Sequence, residues 1–182
     1  MVQVKGEINI HVSPQEVFAL LSDVRECAEL NPRIQVIDIT SEPAGRVGEG
    51  TVFHNRIVVA GRMTEYDSKV IVFKPDQLLH IRTNTNPEVN VKYQLTPVTE
   101  GCRLEQEFIS SSRPEEPTPA KLPGWFAQLM DRLTEQSPGV AQDTESQQQD
   151  EVMMREELQT QLDEWLAIVK KHLEQQQGKF KA

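Results

Sequence analysis

The sequence predicts an α+β fold: a six- to seven-stranded curved antiparallel sheet around a long C-terminal helix, with two short helices after the first strand. Three observations carry this. Between residues 1 and 112 a series of short segments alternates apolar and polar residues, each closed by Gly, Pro, Asn or Asp. A helix start follows the first of these segments directly. Near the far end the apolar period changes from two to steps of three and four.

The first strand places Val2, Val4, Ile8, Ile10 and Val12 at even positions, with Gln3, Lys5, Glu7, Asn9 and His11 between them. Such alternation fits a strand with one buried face and does not fit a leader peptide. Ser13-Pro14-Gln15-Glu16 then supplies a cap, a proline at the first helical position and the glutamate of a capping box. The helix buries Val17, Leu20, Leu21 and Val24, and a second turn spans Arg25–Leu30 before Asn31-Pro32. Six strands follow at Ile34–Thr40, Thr51–Val59, Arg62–Phe73, Gln77–Thr85, Glu88–Leu95 and Cys102–Ser110. Their even spacing indicates an antiparallel meander.

Leu158, Leu162, Trp165, Val169 and Leu173 form one stripe of a long helix over 151–177, leaving a tail at 178–182. Acidic residues lie toward its start and Lys170 and Lys171 toward its end, as the helix dipole favours. Between sheet and helix, 113–150 is an acidic insertion rich in Pro, Gln and Ser. Within it Leu122, Trp125, Phe126, Leu129, Met130 and Leu133 mark an amphipathic helix at about 121–136. A concave sheet covered by one helix stripe seldom fills with side chains alone, so this order of elements implies a pocket.

The net charge of −9 disfavours nucleic acid and anionic membranes as partners. No segment approaches the ~20 apolar residues of a spanning helix, so no integral membrane association is expected. Cys27 and Cys102 have no grouped His or acidic neighbours, so neither a metal nor another cofactor is expected, and two reduced thiols fit a cytoplasmic protein. No nucleophile elbow, phosphate loop or dinucleotide fingerprint is present.

The element order, together with Val12-Ser-Pro-Gln-Glu-Val-Phe18, Val47-Gly-Glu-Gly-Thr-Val-Phe53, Phe73-Lys-Pro-Asp-Gln-Leu-Leu79, Tyr93-Gln-Leu-Thr-Pro97 and Gly101-Cys-Arg-Leu104, resembles the SRPBCC superfamily. This is the START-like, helix-grip group that includes polyketide cyclase/dehydrase-like proteins. The likeness covers about residues 2–112 and the terminal helix, with Cys102 standing where members often carry Thr. Pro123-Gly-Trp-Phe-Ala-Gln-Leu-Met-Asp-Arg-Leu133 also looks like the start of the last helix in the branch resembling the heat-shock ATPase activator. Either 122–135 or 151–176 is then the grip helix. The longer one is favoured because it alone is long enough to cross the sheet.

The resemblance implies an internal cavity for a lipid, polyketide or similar apolar compound. Strand and helix phase offer Phe53, Tyr93, Leu95, Leu104, Phe108, Leu162, Trp165 and Val169 as its apolar wall, although core packing is the commoner role for any one of them. Tyr66, Arg56 and Arg82 are the polar candidates. An inward arginine implies a ligand anion, and an outward, solvated one is the more frequent case.

Binding or transport of a hydrophobic molecule is the leading function, with no catalytic residue assigned. One alternative is a cyclase/dehydrase-type enzyme using acid–base residues in the cavity, for which His54 and His80 are the available imidazoles. Another is a protein-interaction module acting through 113–150. Trp125, Phe126, Leu129 and Met130 offer the surface there for a protein or a membrane face.

Overall fold

A computed structural model of the chain describes residues 1–59, 61–85, 87–111 and 144–180. The expected amphipathic helix at about 121–136, with Trp125, Phe126, Leu129 and Met130, lies outside the described residues. The elements are β1 (Val2–Ile10), α1 (Pro14–Ser22), α2 (Val24–Glu29), β2 (Ile34–Glu42), β3 (Val52–Val59), β4 (Arg62–Lys74), β5 (Leu78–Thr83), β6 (Glu88–Val98), β7 (Gly101–Ser111) and α3 (Thr144–Phe180). The strands form one seven-stranded antiparallel sheet in the order β1-β7-β6-β5-β4-β3-β2. Irregularities between Val36 and Asp38 in β2, and between Val70 and Val72 in β4, add the local bending that lets the sheet curl.

The capping box is formed as the residues dictate. Glu16 N–H donates to Ser13 Oγ at 3.3 Å, and Ser13 N–H donates to Glu16 Oε2 at 3.0 Å. Asp23 makes the elbow between the two short helices. Its N–H closes α1 on Ala19 O and Leu20 O, while its carboxylate accepts from Glu26 N at 2.9 Å to open α2. Val17, Phe18, Leu20 and Leu21 are buried, and α2 buries none of its side chains fully.

The core lies between the concave face of the sheet and α3. Leu158, Leu162, Leu166, Val169 and Leu173 are the buried stripe, so Leu166 takes the place in the core expected for Trp165. Trp165 is half-buried and turned to one side. The reason is Gly6, whose missing side chain leaves a notch in the even face of β1. A Cβ there would stand 2.8 Å from Leu166 Cδ1 and 3.3 Å from Leu162 Cδ2. The helix therefore seats its closest approach on Gly6, and that sets its rotation. Polar contacts fix it lengthwise: Gln159 Nε2 donates to Lys5 O at 3.1 Å, and His11 N–H donates to Glu174 Oε1 at 2.9 Å.

Candidate ligand-binding cavity

Between sheet and helix a cavity of about 220 Å³ remains. Its floor is Val4, Ile81, Val91, Tyr93, Gln106 and Phe108 of the inward sheet face, and its roof is Leu158, Leu162, Trp165 and Ile168 of α3. Leu21, Val24, Cys27 and Ala28 wall one side, and Asn31–Ile34 stand at the mouth. There Arg33 Nη2 reaches across to Glu164 Oε2 at 2.8 Å, tying the α2–β2 loop to α3. Both side chains are exposed, and such a pair contributes about 0–1 kcal/mol, so it guides closure without locking it.

The walls are mostly apolar because even positions of β1 and β7 and odd positions of β5 and β6 face inward. Cross-strand register brings Tyr93 of β6 opposite Gln106 of β7, with Val91 opposite Phe108. Burial pushes the Tyr93 phenol well above its ordinary range, and the nearby Cys27 and Tyr66 add to the rise. Burial, then Asp23 and Glu26, pushes the Cys27 thiol up to about 12. Both groups are therefore neutral near pH 7, and inside the Arg33–Glu164 pair at its mouth the cavity offers uncharged hydrogen-bonding atoms.

Of the eleven residues proposed from sequence, Tyr93, Phe108, Leu162 and Trp165 line this cavity, and Leu95 is buried in the core. Leu104 and Val169 are fully buried in the adjoining core. Phe53 faces a second, more open cleft, where it meets Phe18, Val47 and Phe73, and Val24 borders both spaces. Tyr66 sits on the inward side of β4 opposite Asn55, and burial raises its phenol to about 12. Arg56 and Arg82 stand on the outer face, paired with Glu65 at 3.1 Å and Glu88 at 4.0 Å. These two outward arginines follow from strand phase. Sequence reasoning missed the contribution of α2 and its following loop, which carries no periodic signal. It also missed Gln106, whose polar side chain at an inward position between Leu104 and Phe108 was a signal that could have found it.

The two histidines on strands lie outside the cavity. His54 Nδ1 pairs with Asp67 Oδ1 at 2.8 Å on the exposed side of β3, and His80 Nε2 meets Asn90 Oδ1 at 3.2 Å. The hydrogen bond to Asp67 raises the His54 pKa above 6.5 despite an opposing solvation effect, with Glu42 assisting. A folded value above the unfolded one means that this stabilisation is complete below about pH 6.5 and is lost as pH rises through the folded value. Chemical denaturation of wild type and His54→Asn across about pH 6 to 9 should show wild type losing its relative advantage on the alkaline side. A pH-independent difference between the two would remove His54–Asp67 as the source.

Comparison with known proteins gives three findings. A family profile described as polyketide cyclase / dehydrase and lipid transport matches residues 1–137. No curated protein matches the chain. Among solved structures, the di-domain ARO/CYC StfQ from the steffimycin biosynthetic pathway aligns with a TM-score of 0.66 at 15% identity, over 97% of this chain and 52% of that one. The chain thus spans about half the length of that protein. A protein from Mesorhizobium loti aligns with a TM-score of 0.58 at 14% identity, over 95% of this chain and 97% of that one. A polyketide-cyclase-like protein from Corynebacterium glutamicum aligns with a TM-score of 0.53 at 21% identity, over 94% and 91%. At these identities the structural likenesses establish the fold.

Proposed function

The chain belongs to the polyketide cyclase/dehydrase and lipid transport family, and from that premise we propose that it binds or carries a hydrophobic small molecule in the cavity beneath α3. The observation that carries this reading is the cavity itself, about 220 Å³ with Leu21, Val24, Ile81, Val91, Phe108, Leu162 and Trp165 as its surface. Binding sites for small molecules typically measure about 300–1,000 Å³ and combine an apolar wall with a few placed polar groups. This one lies just below that range, so the ligand is compact or the mouth at Arg33–Glu164 widens to admit it.

The acid–base alternative is less favoured. Among the described residues no histidine lines the cavity, and burial disfavours the phenolate of Tyr93 and the thiolate of Cys27 that a general base would need. A reducing compartment such as the cytoplasm suits Cys27 and Cys102, both free. Among the described residues no helix is long and apolar enough to cross a membrane.

Native mass spectrometry of the protein from its own host should reveal a bound apolar compound. Stripped protein should take up fatty acids or small aromatic probes stoichiometrically, with quenching of Trp165 emission in the Trp125→Phe background. Protein that is always empty and takes up none of these probes would overturn the reading.

A further inference from the structure

Gln106 stands out among the buried polar side chains of the inward face. Asn55, its counterpart on β3, donates from Nδ2 to Phe53 O at 3.1 Å, Tyr66 O at 3.2 Å and Ser68 Oγ at 2.8 Å. Thr83 and Thr85 share a 2.6 Å hydroxyl contact, and Thr85 Oγ1 donates onward to Pro87 O. Those groups are spent on the fold. Gln106 is only 7% exposed, lines the cavity, and its Oε1 has no hydrogen-bond partner among the described residues.

Its surroundings explain why. On β1 the residue opposite is Gly6, which has no side chain to offer, and Leu162 and Leu166 close over that notch. Along β7 its inward neighbours are Leu104 and Phe108, both buried. The remaining cross-strand neighbour is Tyr93, itself on the cavity wall. A carboxamide in such a setting costs stability for as long as its oxygen is unpaired, and an apolar residue of similar shape would not.

We propose that Gln106 is the specificity-determining residue of this cavity: its unpaired Oε1, on the floor where Tyr93 is the cross-strand partner, receives a hydroxyl of the bound molecule. The ligand class is a compact, largely apolar compound bearing a hydroxyl at its buried end. The inference rests on the cavity being a binding site. It adds which end of the ligand enters first and which compounds are refused, because a hydrocarbon at that position leaves the carboxamide unpaired. Gln106 supplies the polar end on the cavity floor, and Trp165 with Ile168 borders the apolar remainder.

Equilibrium dialysis of wild type, Gln106→Leu and Gln106→Met against 2-naphthol and its isostere 2-methylnaphthalene tests this. Wild type should prefer the naphthol by about 10- to 100-fold. Both variants should lose most of that preference while keeping the affinity for the hydrocarbon, and should melt at or above the wild-type temperature. Equal affinities in wild type, or a preference that survives in both variants, would overturn the role of Gln106 and leave the cavity reading standing. Binding of neither probe by wild type would overturn both. Variants that melt well below wild type would show the carboxamide to be a structural group, which also ends the proposal.

Discussion

Gly101→Ala should destabilise the protein by about 3–5 kcal/mol, placing it among the most damaging single-methyl additions available in this chain. Gly101 opens β7 directly after the Thr99-Glu100 turn, with φ at +137°, a region that side chains rarely enter. A Cβ there would overlap the carbonyl oxygen of Ile10 and lie 2.9 Å from His11 Cα and 3.0 Å from Val12 N. All three are backbone atoms. They cannot turn aside as a side chain does, because Ile10 is held in the ladder opposite Cys102. Gly45, Gly50 and Gly61 also have positive φ, but nothing lies within 4 Å of a Cβ at those positions. Alanine there should cost only the conformational part, about 1 kcal/mol. Urea unfolding of the four variants separates the two contributions. A Gly101→Ala protein as stable as the Gly61→Ala protein would refute the backbone contact.

The second large effect is expected at Leu104. This side chain has no exposed surface, and it sits on β7 between Ile8 of β1 and Leu95 of β6. Truncation to alanine removes its transfer free energy and leaves a void that neighbours held in two ladders cannot collapse into. The expected loss is about 3–4 kcal/mol, at an unchanged denaturant m-value. Leu104 was proposed from sequence as a cavity residue and lies in the core beside Gln106. Its variant therefore also reports whether the floor of the cavity depends on that packing. A loss below about 1 kcal/mol would mean that the sheet relaxes far more readily than its register implies.

The parts of the fold legible in the sequence are those with a strong local period. The even face of β1, the Ser13-Pro14-Glu16 box and the alternation of Val89, Val91, Tyr93 and Leu95 each constrain one backbone geometry. Sequence gave the strands to within a few residues, but placed the start of the last helix at 151, seven positions after Thr144. Its rotation was less accessible. Trp165 and Leu166 are adjacent, and a stripe drawn in steps of three and four admits either. Gly6 decides between them by offering a notch that only the opposite strand face can supply.

The cavity was harder still. Cys27, Ala28 and Arg33 reach it from a helix of six residues and a loop, too short to carry a period. Arg33–Glu164 joins positions 131 apart and has no signal in either neighbourhood. Gln106 was not singled out from sequence, although a polar residue on the inward side of an apolar alternation breaks the pattern and could have pointed to it.

The strand order carries a consequence for how the protein is made. Among the described residues β1 pairs only with β7, and the Gln3–Glu107 contact joins residues 104 apart. At about 5–20 residues per second, a ribosome produces β7 roughly 5–20 s after β1. Throughout that interval Val2, Val4, Ile8 and Ile10 have neither their ladder partner nor the helix that covers them. The β2–β6 meander can assemble meanwhile from neighbouring hairpins, each of low sequence separation. Nascent chains should therefore pass through a stage with a formed sheet and an unclaimed first strand, and the binding of that strand by a chaperone or a second nascent chain would compete directly with native closure.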